Sequence, residues 1–384
     1  MIYLDNHATT ACDPRVIESM VPFYTTFYGN ASSNHLYGEI AANAVNEAEK
    51  KIYNLINGQH GTLVFTSGAT ESNNIVLIGL AQGHYQRTGK KGKIVTTGIE
   101  HKAILSPLSY LENDGWQIEY LPIDITGTVD LEKAREIIDQ RTVLVSVQLA
   151  NSEIGTIQPI KELAALSHRA GAFFHSDAAQ AVGKISVDVA DSQVDLLTFS
   201  AHKLYGPKGV GAIWINQDPD LLYKLQPIMF GGESGSRLRP GTLPVPLVVA
   251  FGEACAICAE ELKEGTHYLS LLRDHFESLL KAGIPDLLIN GNLSNRLPNN
   301  SNLTFPDTEA DLLLANLPEI VASTGSACES GSIEPSRVLL AIGVPRDDAF
   351  NTLRIGLGRF NTISEIEIAA KLFIKAYTEA FDVL

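Results

Sequence analysis

Seven short apolar runs, at residues 62–65, 93–97, 116–123, 142–149, 172–175, 196–200 and 210–215, are each bounded by Gly, Pro, Asp or Asn and alternate with stretches of helical periodicity. Runs that are apolar on both faces need cover on both sides, and a mostly parallel sheet with helices on each face supplies it. The expected class is therefore α/β, built on a large seven-stranded sheet. Residues 240–264 read as a long helix leaving that sheet. Beyond it the rhythm loosens, and residues 290–302 are rich in Asn and Leu. The reading gives a large domain over 14–255 and a smaller α/β domain formed by 1–13 with 256–384, in keeping with a chain of 384 residues.

Charge and cysteine usage narrow the partners. The 29 basic against 44 acidic residues leave a net charge of −15, which repels phosphate backbones and anionic lipid, so neither nucleic acid nor membrane is expected as a direct partner. The chain opens Met1-Ile2-Tyr3-Leu4-Asp5 with no basic start and no long apolar stretch, and the expected location is the cytoplasm. The longest apolar passage, 243–259, is interrupted by Pro244, Pro246 and Glu253 and reads as a buried helix. Four cysteines are too few for a disulfide framework. Cys255 and Cys258 form a C-x-x-C flanked by Ala with no second ligand pair nearby, which reads as one buried helix face.

In open parallel sheets ligands bind beyond the carboxyl ends of the strands. The polar residues there are Thr70, His101, Asn151, Asp177 with Gln180, and Ser200 with His202 and Lys203. Lys203 stands where an apolar strand gives way to a Gly/Pro-rich turn, and a partly desolvated lysine favours the neutral amine that condenses with carbonyls. Ser67-Gly68-Ala69-Thr70 opens a helix whose first amides can hold an anion. Asp177 is either a helix N-cap or a carboxylate that keeps a heterocyclic nitrogen protonated. His101 could be a general acid or base or a flat ring against a cofactor; it has no partner at metal-ligand spacing. His35 and His175 read as structural.

Cys328 lies in residues 322–335, nearly all small or polar, where Gly325 and Gly331 are expected to make a mobile catalytic loop over about 323–335. A thiol there is accessible enough to act as a nucleophile, although Glu329 beside it opposes ionisation. Ser200-Ala201-His202-Lys203 fits the S-x-x-K of serine β-lactam enzymes, but neither S-D-N nor K-T-G occurs. Gly206-Pro207-Lys208-Gly209-Val210-Gly211 has the composition of a phosphate loop without its G-x-x-x-x-G-K-[ST] frame.

Taken together, Phe65 to Asn73, Glu100-His101-Lys102-Ala103, Ser200-Ala201-His202-Lys203, Arg239-Pro240-Gly241-Thr242, Gly325-Ser326-Ala327-Cys328 and Arg354 to Phe360 resemble the pyridoxal-phosphate-dependent cysteine desulfurases of the NifS/IscS type. The likeness runs over essentially the whole chain. It implies the fold type I, aspartate-aminotransferase-like architecture and release of sulfur from L-cysteine, giving alanine and a persulfide on Cys328. By this resemblance Lys203 would carry pyridoxal 5'-phosphate covalently, Asp177 would pair with its ring nitrogen, Gln180 would face its phenolic oxygen and His101 would stack on the ring. Ala69, Thr70, Ser200 and His202 would hold the phosphate with Thr242 of a second subunit, implying a homodimer. Asn151 and Ser152 would contact the ring, and Arg354, with Asn151, would bind the substrate. Sulfur-acceptor proteins, such as an iron–sulfur scaffold, would be partners. No resident metal is implied, only a transient iron–sulfur contact at Cys328.

Two stretches depart from the family pattern. Asn151-Ser152-Glu153 stands where Asn-Asn-Glu is usual, and Gly231 to Arg237 differs from Gly-Gly-Gly-Gln-Glu-Arg-Gly. The rival readings are a selenocysteine or cystine lyase of the same fold, and a non-catalytic sulfur or iron carrier using Cys255, Cys258 and Cys328.

Overall fold

The computed structural model describes residues 1–218, 221, 224–232, 235–324 and 334–381. All seven expected runs are strands of one sheet, in the spatial order Gly61–Thr66, Gly211–Asn216, Leu196–Ser200, Phe173–Asp177, Thr142–Ser146, Lys93–Thr97, Gln117–Leu121. Five of them, from Leu196–Ser200 out to the Gln117–Leu121 edge, pair in parallel. Gly211–Asn216 runs antiparallel between Leu196–Ser200 and Gly61–Thr66. That reversal brings its amino end, Gly211, opposite both Thr66 and Ser200.

Side chains that alternate along the strands fill two separate cores. Phe65, Val95, Val145 and Leu197 face one side, against the helix Leu36–Ile56 and the first half of the helix Val245–Gly283. Their neighbours Val64, Ile94, Leu144 and Leu196 face the other, against the helices Ala69–Thr88 and Lys102–Asn113. The helix after residue 240 starts later and runs much further than expected, over 39 residues, or about 58 Å. Its stripe of buried residues explains the length. Val248, Phe251 and Cys255 pack under the large sheet, whereas Leu269, Leu272, Phe276 and Leu280 belong to another core. The boundary read near residue 256 therefore falls inside a continuous helix.

That other core lies beneath a four-stranded antiparallel sheet, ordered Leu288–Ile289, Asn300–Thr304, Thr352–Gly356, Ser323–Thr324. The amino-terminal strand Ile2–Tyr3 joins it by pairing with Ile320–Val321, and Leu4 is buried there. The residues following, 5–10, are thereby led back across the end of the large sheet. Cys255 and Cys258 are both buried on the long helix, as their spacing suggested. No helix among the described residues is long and apolar enough to cross a membrane.

Candidate active site

The strand ends converge on one cavity of about 660 Å³. Ala69 and Thr70 reach it from the first strand, His101 from the second, Gln148 and Ser152 from the fourth, Asp177 and Gln180 from the fifth, and Ser200, His202 and Lys203 from the sixth. Arg354 enters from the small sheet, and His7, Ala8 and Thr9 from the amino-terminal segment. Gln117–Leu121, at the edge away from the antiparallel strand Gly211–Asn216, contributes no residue to the lining.

Lys203 ends a single 3-10 turn, Ala201–Lys203. Its Nζ donates to the carbonyls of His7 and, at 2.8 Å, Ala8. Asp177 is buried at the carboxyl end of its strand and accepts from Asn73 Nδ2 at 2.7 Å and from the backbone N–H of Ala179 at 3.0 Å. A line of donors stands behind it. Thr198 Oγ1 donates to Asn73 Oδ1 at 2.5 Å, and Thr198 in turn meets His175 Nε2 at 3.1 Å. His175 Nδ1 lies 2.9 Å from Ser146 Oγ. Burial pushes the His175 imidazole down to about 3, so it is neutral and its two nitrogens play one donor and one acceptor role.

The helix Ala69–Thr88 begins at Gly68, whose φ is 154° and which carries no capping side chain. Gly211 is backed against it. A Cβ at Gly211 would come within 2.7 Å of Gly68 Cα, so only glycine lets the two backbones approach this closely. Beside the helix start, Ser200 Oγ is buried with no hydrogen-bond partner among the described residues. An orphaned hydroxyl next to uncapped helix amides suits a bound phosphoryl group. His202, held by Thr9 Oγ1 at 3.2 Å, is pushed down to about 4 by burial and by Lys203, Lys208 and Lys184, and so contributes as a neutral imidazole.

His101 caps the helix Lys102–Asn113, its Nδ1 accepting from the Ala103 N–H at 3.1 Å. Surrounding protein lowers its pKa, with Lys203, Arg337 and Arg354 acting in the same direction and Asp177 opposing them. The ring is thus neutral, with Nε2 as its N–H. Arg354 donates through Nη2 to Asp5 Oδ1 at 2.9 Å and Ser323 Oγ at 2.8 Å, while its buried Nε has no partner among the described residues. It holds unused donor capacity of the kind a carboxylate engages.

Not every candidate faces the cavity. Asn151 is buried and does not line the cavity, with one Nδ2 hydrogen on the Ile99 carbonyl at 3.0 Å and Oδ1 accepting from the N–H groups of Glu153 and Ile154; the shorter Ser152 lines the space. Thr242 is exposed and does not line its own chain's cavity. Cys328, and the Glu233 and Ser234 of the second departure, lie outside the described residues. The expectations omitted His7, Gln148 and Asn73. Asn73 sits on a helix interior, where nothing in the local sequence separates it from a surface residue. Among the described residues no group of three or more His, Cys, Asp or Glu side chains is placed to hold a metal.

The aminotransferase class-V family model matches residues 2–368. A mitosomal cysteine desulfurase of Encephalitozoon cuniculi is 43% identical over 376 residues, covering 98% of this chain and 86% of the relative. Among solved structures, a NifS-like protein superposes with a TM-score of 0.89 at 35% identity over all of both chains. Another, SspA in complex with cysteine, gives 0.81 at 33% identity over 94% of this chain and all of its own.

Proposed function

This chain belongs to the class-V aminotransferases, and from that membership we propose that it is a pyridoxal-phosphate-dependent cysteine desulfurase with the fold type I architecture. The observation that carries the reading is the convergence of Lys203, Asp177 and Gln180 on one cavity with an uncapped helix start, an orphaned Ser200 hydroxyl and a partly unpaired Arg354. When bound, the cofactor would supply an electron-poor ring able to stabilise the electron pair left as the substrate α-proton departs.

The chain's own residues do the rest. Thr70, Ser200, His202 and the helix amides hold the phosphate. Asp177 presents a carboxylate to the ring nitrogen, held in place by the Asn73 amide and the Ala179 N–H. His101 offers a flat neutral ring at the cavity wall and an Nε2–H for proton traffic. Arg354 pairs with the carboxylate of cysteine, the task its Nε is free to take up. Lys203 is the base positioned to remove the substrate α-proton. Cys328 as thiolate then attacks the substrate sulfur. The S–S bond forms as the C–S bond breaks, and reprotonation of the carbon fragment yields alanine with a persulfide on Cys328. Cysteine and one thiol go in, alanine and one persulfide come out, with no external oxidant. The persulfide passes to a sulfur-acceptor protein, and Thr242 serves the phosphate of a second subunit, making the unit a homodimer.

The test is Cys328→Ala. This variant should keep the visible absorption of the bound cofactor yet lose alanine production from cysteine, measured by amino-acid analysis; undiminished turnover would refute the assignment.

A further inference from the structure

Behind the cavity wall lies a charged group that the reading above does not use. Lys184 is fully buried, and among the described residues no carboxylate lies within bonding distance of it. Its Nζ donates only to Gln180, at 3.2 Å to the backbone carbonyl and 3.1 Å to Oε1. The backbone that aims it is pinned from two directions. Thr266 Oγ1, on the long helix, lies 2.8 Å from the Lys184 carbonyl and 2.6 Å from the Leu262 carbonyl, its one hydrogen shared between them. Gly183, at φ 79°, is tucked so tightly that a Cβ would come within 2.9 Å of Leu204 and 3.0 Å of the Cys258 sulfur.

The contacts fix the orientation of one amide. An ammonium has only hydrogens to offer, so the Gln180 atom facing the charged Lys184 is the carbonyl oxygen. His7 agrees. Its Nε2 lies 3.1 Å from Asn300 Nδ2, a donor, which leaves Nδ1 to donate to the same Gln180 Oε1 at 3.0 Å. Gln180 Nε2 spends one hydrogen on the His7 carbonyl at 3.0 Å. The second is left for an acceptor in the cavity that Gln180 lines.

We propose that Lys184 is a positioning residue, locking the Gln180 amide with its NH2 end toward the cavity and setting a positive charge behind the place where the cofactor's ring oxygen binds. The inference rests on the reading of this site as a pyridoxal-phosphate site. A buried unpaired ammonium is a net cost to folding, and here the benefit is stabilisation of an anionic ring oxygen. The titratable groups around it are His7 from the amino-terminal segment, Lys203 and His202 from the turn after Leu196–Ser200, and Cys258 from the long helix. Burial, then repulsion from Lys203, pushes the Lys184 amine down to about 7, and Nζ remains a donor in either protonation state. Loss of the charge and loss of the amide lock act in one direction, because both make protonation of the lysine–cofactor linkage easier.

The experiment is a pH titration of the visible absorption of cofactor-loaded Lys184→Met and Lys184→Gln. Each should raise the midpoint between the two absorbing forms by about one pH unit, the size expected for one nearby charge, and should release cofactor faster on dialysis, with thermal stability retained or raised. An unchanged midpoint in a folded variant overturns the proposal. So does failure of both variants to fold, since Lys184 would then be a structural residue. Borohydride fixation of cofactor to a residue other than Lys203 in the unaltered protein would overturn the underlying reading instead.

Discussion

Asp177 is the terminus of a chain of four donors, and His175 is the member whose replacement is easiest to read. The imidazole is neutral when folded, down to about pH 3, but takes up a proton near its ordinary value of about 6.5 when the chain unfolds. Its contribution to stability is thus complete above about pH 6.5 and is lost progressively as pH falls toward 3. His175→Gln removes that term. Denaturant unfolding at several pH values should show the acid-side slope between pH 6 and 4 reduced by about 1.4 kcal/mol per pH unit; slopes identical to the parent's would contradict the assigned neutrality. At this scale the sequence was partly legible. Asp177, Lys203 and Ser200 announced themselves because a polar residue directly after an apolar run has few structural reasons to be there. Asn73, His7 and Lys184 did not, because their importance comes from what faces them across the fold. Nor did the sequence show that the Asn151 carboxamide bonds to backbone groups of its own turn and of Ile99.

Among the elements, the meeting of the helix Ala69–Thr88 with the strand Gly211–Asn216 governs the anion pocket. The two glycines there answer to different constraints. Gly68 needs an unusual φ but has open space around it, whereas a Cβ on Gly211 would meet the backbone of Gly68 and, at 2.8 Å, the Phe199 carbonyl. Gly211→Ala should therefore force the strand and the loop apart, at about 1–3 kcal/mol as for other overpacked sites, and weaken cofactor retention together with thermal stability. A melting temperature and a cofactor dissociation constant both equal to the parent's would show that the junction has slack. The strands themselves were well read from apolar runs, since seven of seven fall where expected. The long helix was read too short because its buried stripe changes partner midway, from the large sheet to the small one, and periodicity averaged across that change weakens.

For the molecule as a whole, Thr242 does not line the active-site cavity of its own chain, so the proposed homodimer makes a sharp statement about shared sites. Thr242→Ala should lower cofactor affinity by about tenfold, the worth of one hydrogen bond to a charged group, and Lys203→Ala should abolish turnover. Mixed dimers of the two variants hold one site with both residues intact. Refolding an equal mixture should restore activity well above the average of the separate variants, as followed by alanine release; no gain would rule out sharing of Thr242.

The helix Val245–Gly283 is common property of two cores. A rod claimed by both lobes cannot fray in one without stripping support from the other, so heat or denaturant should dissolve the pair in a single concerted event. The amino-acid clamp and the cradle beneath it would then vanish at the same temperature, and neither lobe would outlive its neighbour as a folded fragment.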